Sequence, residues 1–277
     1  MKKHSNNFKV LSWNVAGRVR KYPKQLEAVL KQNPDVIGLQ EIILSTQSSW
    51  LSDLTKAGYY VQCSFEFVKD QSILVHGRKY GVITASKWAF NSYRGCEINI
   101  PWLERISSVV LRSPWGLIEF HNIHMPAGVS HGVIKHKTFE GLYQYLAHES
   151  DRMRILCGDF NSPRKEYPDG YVVTWGKTKK NKDSRLINDL SDRQASAEQG
   201  IFTGLQKYDL KDVYRQVNGY QDDDYSWMHK WRDTRTCRRF DHIFASSQLN
   251  PVRCEYLHEF IDKRLSDHAP IVGIFEP

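Results

Sequence analysis

The residues of this 277-residue sequence that could do chemistry are gathered where apolar runs end or begin. They are Asn14, Glu41, His124, the Asp159 and Asn161 of Gly158-Asp159-Phe160-Asn161, the Asp241 of Asp241-His242, and the pair Asp267-His268 after Ser266. A strand that is apolar throughout and then ends in Asn, Glu, His or Asp projects those groups from one edge of a sheet, where binding and catalytic groups collect. Carboxylates and amides are hard oxygen ligands suited to Mg²⁺ or Mn²⁺, and a few of them leave positions for water and a phosphate oxygen. A zinc site would hold more His and Cys, and ligands spread over the whole chain exclude an EF-hand loop. Singly, each has a plainer reading: Asn14 could cap a turn, Asp267-His268 could start one, and His124 could satisfy backbone groups. Glu41 resists that reading, because a carboxylate closing an apolar run is costly to bury without a partner. His242 points to the strand face opposite Asp241 and reads as structural, and Asp222-Asp223-Asp224 reads as a solvated turn.

Positioning these groups requires strands that end together. Phe8 to Val15 is a short β-rich run, followed by a helix with Pro23 in its first turn that stops near Asn33-Pro34. Asp35 to Glu41 has the continuous apolar character of a strand covered on both faces, and Ser45 to Ala57, closed by Gly58, reads as the next helix. From Tyr59 to Met125 the pattern is strand after strand, at Val61 to Phe67, Gly81 to Ser86, Ile106 to Leu111 and Leu117 to His124, an antiparallel stretch. The spacing of Phe139, Leu142, Tyr143, Leu146 and Ala147 predicts a helix over Lys137 to Glu149. A buried strand, Met153 to Phe160, leads into a mostly polar region with helices at Arg185 to Asp192 and Leu210 to Val217. Closing strands follow at Phe240 to Ser246, Val252 to Leu257 and Ala269 to Phe275. No repeat, low-complexity tract or Pro/Gly/Ser-rich linker divides the chain, so residues 1–277 read as one domain of mixed α/β class.

With 40% hydrophobic, 12% aromatic and 25% charged residues, the composition matches a soluble globular protein and excludes disorder, collagen and coiled coil. No apolar run approaches the roughly 20 residues that cross a bilayer. The segment Met1 to Asn7 lacks a secretory signal's apolar stretch, so a cytoplasmic or nuclear protein without a membrane partner is expected. The balance of 39 Lys and Arg against 31 Asp and Glu gives a net charge of +8, which favours polyanionic partners, nucleic acid first. The dispersed cysteines, Cys63, Cys96, Cys157, Cys237 and Cys254, form no C-x-x-C pair, so reduced and mostly buried thiols are expected.

Ser12-Trp13-Asn14-Val15, Leu39-Gln40-Glu41, Asn122-Ile123-His124-Met125-Pro126, Gly158-Asp159-Phe160-Asn161-Ser162-Pro163, Arg239-Phe240-Asp241-His242-Ile243 and Leu265-Ser266-Asp267-His268-Ala269-Pro270 span nearly the whole chain. In this order they resemble the endonuclease/exonuclease/phosphatase superfamily, which includes pancreatic deoxyribonuclease, the exonuclease III type apurinic endonucleases, the sphingomyelinases and the inositol phosphatases. The resemblance implies a four-layered α/β sandwich, two packed, mostly antiparallel mixed sheets flanked by helices, with the cleft at the loop end of the sheets. It implies Glu41 as the principal Mg²⁺ (or Mn²⁺) ligand, with Asn14 and Asp267 beside or around the ion. Asp159 and Asn161 would handle the attacking water, His268 would contact the scissile phosphate, and Asp241 would hold that imidazole in its protonated form. His124 would assist at the leaving group or phosphate, and Arg105, by likeness to deoxyribonuclease, would contact phosphate.

Two basic stretches bear on the substrate, Lys177 to Arg185 and Lys230 to Arg239. Basic residues interleaved with Trp227 and Trp231 suit a cleft that neutralises backbone phosphates and stacks exposed bases, and Arg239 is read as one of the substrate-binding cations. Tyr225-Ser226-Trp227 followed by Arg239-Phe240-Asp241 resembles the segment that forms the abasic-sugar pocket of apurinic endonucleases, with Trp227 and Phe240 as its walls. Ala16, His124 and Ala127 depart from that subgroup, where an acidic residue, a tyrosine and an asparagine are usual; a histidine at 124 is similar to the deoxyribonuclease and phosphatase branches. The expected function is metal-dependent phosphodiester hydrolysis by a monomer, with DNA favoured over RNA. The alternative is a phosphatase or phosphodiesterase acting on a smaller ester: a phosphoinositide, a nucleotide or a tyrosyl-DNA end.

Overall fold

The structure is a computed structural model that describes residues 7–92, 98–175 and 185–276. From the amino end run β1 (Phe8–Asn14), α1 (Tyr22–Lys31), β2 (Val36–Ile42), α2 (Leu44–Lys56), β3 (Tyr60–Cys63), β4 (Gly81–Ser86) and β5 (Phe90–Ser92). The centre holds β6 (Ile106–Ser113), β7 (Gly116–His124), α3 (Gly128–Leu146), β8 (Met153–Asp159) and a small hairpin, β9 (Lys165–Glu166) with β10 (Val172–Val173). Then come α4 (Arg185–Gln199), β11 (Lys211–Asp212), α5 (Val213–Asn218) and a second hairpin, β12 (Trp227–Trp231) with β13 (Thr234–Arg238). The chain closes with β14 (Asp241–Ala245), β15 (Asn250–Tyr256), α6 (Glu259–Asp262) and β16 (Ile271–Glu276).

Two six-stranded sheets form, in the orders β15-β16-β1-β2-β4-β3 and β11-β14-β8-β7-β6-β5. Each is antiparallel except for one central parallel pair, β1 with β2 and β7 with β8. Apolar residues on alternate strand positions divide into three cores. Phe8, Val10, Phe120, Ile155, Cys157 and Ile243 pack between the sheets. Leu11, Trp13, Leu39 and Val272 face the helical layer of Trp50, Leu54 and Phe260. Ile123, Leu156 and Phe244 face Phe139, Leu142 and Ile201 on the far side. Helix, sheet, sheet, helix are the four layers of a mixed α/β sandwich, as the resemblance implies.

Several elements differ from the sequence expectation. The strands between Tyr59 and Met125 do not form one antiparallel stretch: β3 and β4 join the first sheet, β5 to β7 the second. Val61 to Phe67 is a strand only to Cys63, because the Ser64 hydroxyl donates to Glu104 O and accepts from Val82 N, turning the chain into a 3-10 segment. The helix expected from Lys137 begins at Gly128, with non-helical backbone at His131 inside it. Leu210 to Val217 is helical only from Val213, since Lys211 and Asp212 pair with β14 and Asp212 then caps α5 by accepting from Arg215 N at 3.2 Å. The helix expected at Arg185 to Asp192 continues to Gln199. In the acidic run Asp222 and Asp223 are exposed, as expected of a solvated turn, while the Tyr214 hydroxyl lies 2.7 Å from Asp222 Oδ2 and 3.0 Å from Asp224 Oδ2, and His258 Nε2 lies 2.6 Å from Asp224 Oδ1. Cys63, Cys157 and Cys254 are buried free thiols and Cys237 is half-buried; Cys96 and the basic stretch 177–185 lie outside the residues whose side chains are described. Among the described residues no helix is long and apolar enough to cross a membrane.

Candidate active site

Parallel partners end at the same edge of a sheet, so β1–β2 and β7–β8 deliver their carboxyl ends to one place, and their antiparallel neighbours β14 and β16 begin there. Register pairs Asn14 with Gln40 and His124 with Asp159. Strand alternation decides which way the side chains face. Ser12 and Asn14 continue the inter-sheet face of Phe8 and Val10, Asn122 and His124 that of Ile118 and Phe120, and Asp159 and Asp241 those of Cys157 and Ile243. The apolar layer between the sheets thus becomes polar at one end.

Alternation alone would turn Glu41 outward, with Leu39. Between Leu39 and Ile42 the pairing with β4 takes one extra residue on β2, a β-bulge, and Glu41 sits at φ 57°. The bulge re-aims its side chain into the cleft, at a backbone cost of about 1–3 kcal/mol for a non-glycine residue in the left-handed region. Asn161, at φ 48°, turns the chain back in the same way after β8. Gly158 is required for a different reason: a Cβ there would lie 1.8 Å from Ile123 O, so only glycine lets β8 approach β7 closely enough to present Asp159.

The cluster is tightly bonded. Asn14 Nδ2 donates to Glu41 Oε1 at 3.2 Å and to Asp159 Oδ2 at 2.8 Å, while its Oδ1 accepts from Ala16 N at 2.8 Å. Asp159 Oδ1 accepts from Asn161 N at 2.8 Å, and Asn161 Nδ2 donates to Asp159 Oδ2 at 3.3 Å. His268 Nδ1 lies 2.7 Å from Asp241 Oδ2, and its Nε2 is 3.9 Å from Asp159 Oδ2. His124 Nε2 stands 3.6 Å from Glu41 Oε1 and 3.7 Å from Asp159 Oδ2. Donor atoms of Glu41, His124 and Asp159 all lie within 4.8 Å of one another.

Electrostatics separates the two histidines. Burial opposes charge on His268, but Asp241 and Asp159 outweigh it and raise its pKa to about 10. Burial, Arg105 and His268 all push His124 well below the usual imidazole value, so it is neutral. Burial also lifts Glu41 above the ordinary carboxylate range and holds Asp159 at about 7 despite His268. Two carboxylates lifted in this way are short of positive charge, and Asp241 Oδ1 has no hydrogen-bond partner; a cation-binding set of oxygens fits that deficit.

The remaining expected residues are placed as follows. Asp267 is 43% exposed at its side chain, 3.4 Å from Arg18 Nη2, and close enough to Glu41 and His268 to act on both electrostatically. Arg105 is buried behind His124, bonded to that ring and to Gly77 O, and lies over the rings of Tyr80 and Trp102. Trp227 and Phe240, 5.3 Å apart, line a cavity of about 460 Å³ beside Asn161, together with Trp175, Lys135, Gln194 and Arg238. Arg239 corrects its expected role as a substrate-binding cation: it is buried, and its guanidinium is spent on Glu166 (2.6 and 2.7 Å) and Asp212 (2.6 and 3.3 Å). Arg215 shares Glu166, and His242 shares Asp212 at 3.2 Å, so Arg239 ties β9, β11 and α5 beneath the cleft.

Two residues were missed from sequence. Lys135 on α3 is buried, donates Nζ to Asn161 O at 2.7 Å and is lowered to about 8 by burial. Ser226 Oγ accepts from Phe240 N at 2.8 Å and Asp241 N at 2.9 Å, setting the start of β14. A lysine just ahead of the expected helix and a serine between aromatic residues carry no signal of these long-range bonds.

The family model described as "Endonuclease/Exonuclease/phosphatase family" matches residues 11–268. The chain is 30% identical over 288 aligned residues to an exodeoxyribonuclease III of Haemophilus influenzae, covering 97% of this chain and 100% of that protein. Among solved structures, an AP endonuclease from Archaeoglobus fulgidus is similar with a TM-score of 0.70 at 20% identity, covering 98% of this chain and 100% of that one. A 3'-5' exonuclease from Neisseria meningitidis is similar with a TM-score of 0.69 at 19% identity, covering 97% and 100%.

Proposed function

The chain belongs to the endonuclease/exonuclease/phosphatase family, and from that premise we propose that it is a Mg²⁺-dependent phosphodiesterase that hydrolyses DNA. The observation that carries this reading is one buried cluster in which Glu41 and Asp159, both short of counter-charge, face a charged His268 and a neutral His124. Glu41, with Asn14 and Asp267 beside it, would hold the cation; an oxygen-rich set of this kind suits Mg²⁺ better than zinc. Bound there, Mg²⁺ would supply positive charge to the phosphate and leaving oxygens.

The chain's own groups divide the remaining work. Asp159 is fixed by Asn14 and Asn161 and titrates at about 7, so at neutral pH it can orient a water and take its proton. His268, kept charged by Asp241, presents Nε2 on the same side as Asp159 and meets the negative charge that gathers on phosphate oxygens in the transition state. His124 can accept or pass a proton, and Arg105 behind it adds positive potential without reaching solvent. DNA is favoured as substrate by the net charge of +8 and by the names of the relatives, an exodeoxyribonuclease, an AP endonuclease and an exonuclease.

Incubating the purified protein with plasmid, single-stranded and abasic duplex DNA, with Mg²⁺ and with chelator, tests the proposal. Cleavage that requires Mg²⁺ and falls by about 100-fold or more in Asp159→Asn is expected. Cleavage untouched by chelator overturns the metal, and hydrolysis of small phosphoesters without any cleavage of DNA overturns the substrate.

A further inference from the structure

The β12–β13 hairpin carries a feature that hydrolysis itself does not use. At its base it is locked to the site: Trp227 Nε1 donates to Asp267 Oδ2 at 3.3 Å, Met228 N donates to Asp267 O at 3.1 Å, and Trp227 bridges His268 through the backbone. Alternation puts Trp227, His229 and Trp231 on one face of this hairpin, together with their cross-strand partners Arg238, Thr236 and Thr234. That face is turned toward the cleft, since Trp227, Thr236 and Arg238 line the cavity beside Asn161.

The rings of Trp227 and His229 are parallel within 5° at 5.9 Å, and Trp231 beyond them is 67% exposed, more than any other large apolar side chain among the described residues. Beside this row stand Arg238, on the same face and with no hydrogen-bond partner at Nε, and the exposed Arg232 in the turn that follows Trp231. A line of aromatic faces in a basic frame, running outward from the attacking group, has the chemistry of a nucleic-acid strand with its bases stacked and its phosphates neutralised.

Resting on the nuclease reading above, we propose that the row Trp227, His229, Trp231 is a stacking track that guides an unpaired strand of the nucleic acid into the site. The spacing favours an unpaired strand over a duplex. The Trp227 and His229 ring centroids are 5.9 Å apart, well beyond the rise of about 3.4 Å between stacked bases in a duplex. Successive bases can rest on successive rings only after leaving the duplex stack. Stacking accepts every base, so the track adds affinity for frayed or single-stranded ends without adding sequence preference.

The test is binding of a short single-stranded oligonucleotide and of the blunt duplex of the same sequence, by fluorescence anisotropy in chelator, to the unmodified protein, Trp231→Ala and Trp231→Phe. Trp231→Ala is expected to weaken single-strand binding by about 5- to 100-fold, the loss carried by one stacked base. Duplex binding, carried by phosphate contacts, should stay within about threefold, and Trp231→Phe should restore most of the single-strand loss. An equal loss on both DNAs, or none on either, overturns the track. Mg²⁺-dependent cleavage by the unmodified protein separates the two readings. Cleavage with normal single-strand binding by Trp231→Ala sinks the track alone, and no cleavage of any DNA removes the nuclease reading and the track with it.

Discussion

Replacing Asp241 by Asn removes a charge and little volume, and its effect can be followed on one ring. Asp241 Oδ2 lies 2.7 Å from His268 Nδ1, and Asp241 with Asp159 carries that imidazole from 6.5 up to about 10 against the pull of burial. A shift of that size corresponds to roughly 5 kcal/mol of preference for the charged form. With an amide in its place, burial is opposed mainly by Asp159 at 3.9 Å, and the pKa of His268 is expected to fall by about 2 units or more. Titrating the His268 ring protons by NMR in protein freed of divalent cations reads this directly. The linkage has a definite sign. A histidine whose pKa is raised on folding contributes stability that is full below 6.5 and is lost as pH rises through about 10. Urea unfolding of the unmodified protein should therefore lose stability across that window, and Asp241→Asn should lose much less. A His268 resonance still titrating near 10 in Asp241→Asn would falsify the assignment of its charge to this carboxylate.

Glu41→Gln is expected to weaken Mg²⁺ binding by about tenfold or more in calorimetry. In chelator at alkaline pH the same variant should be more stable in urea unfolding, because a carboxylate lifted by burial destabilises the fold once ionised; lower stability would count against that reading. Gly158→Ala would place a Cβ 1.8 Å from Ile123 O, and should cost about 4 kcal/mol or more, or prevent folding; a variant within about 1 kcal/mol of the unmodified protein would contradict the close approach. Arg239→Leu leaves Glu166 and Asp212 buried without their shared cation, and should lower stability by about 3–5 kcal/mol in urea unfolding. An unchanged midpoint would return Arg239 to the surface role first expected of it.

What could be read from the chain and what could not divide along the range of the interactions involved. Glu41 was legible because a carboxylate after Val36, Ile37 and Leu39 has no local explanation, and Asp159 and Asn161 because they follow a buried strand directly. The bulge that aims Glu41 was not, since it exists only in the pairing with β4. Arg239 looked like one more cation in a basic stretch; its partners lie 73 and 27 residues away, and nothing local marks Glu166 or Asp212 as buried. Lys135 was hidden in the same way, falling just ahead of the helix expected from Lys137, although its ammonium donates to Asn161 O. The strands were largely legible from composition, but their division between two sheets was not, because β4 and β6 are near in sequence and belong to different layers.

β16 lies between β15 and β1 and so joins stretches far apart in the chain into one sheet. It covers the row of amides and carbonyls along β1, and the segment just before it supplies the His268 carbonyl to the indole of Trp13 and the Leu265 carbonyl to Gln25. Without β16 both neighbours would present unpaired edges, a template for pairing with another chain.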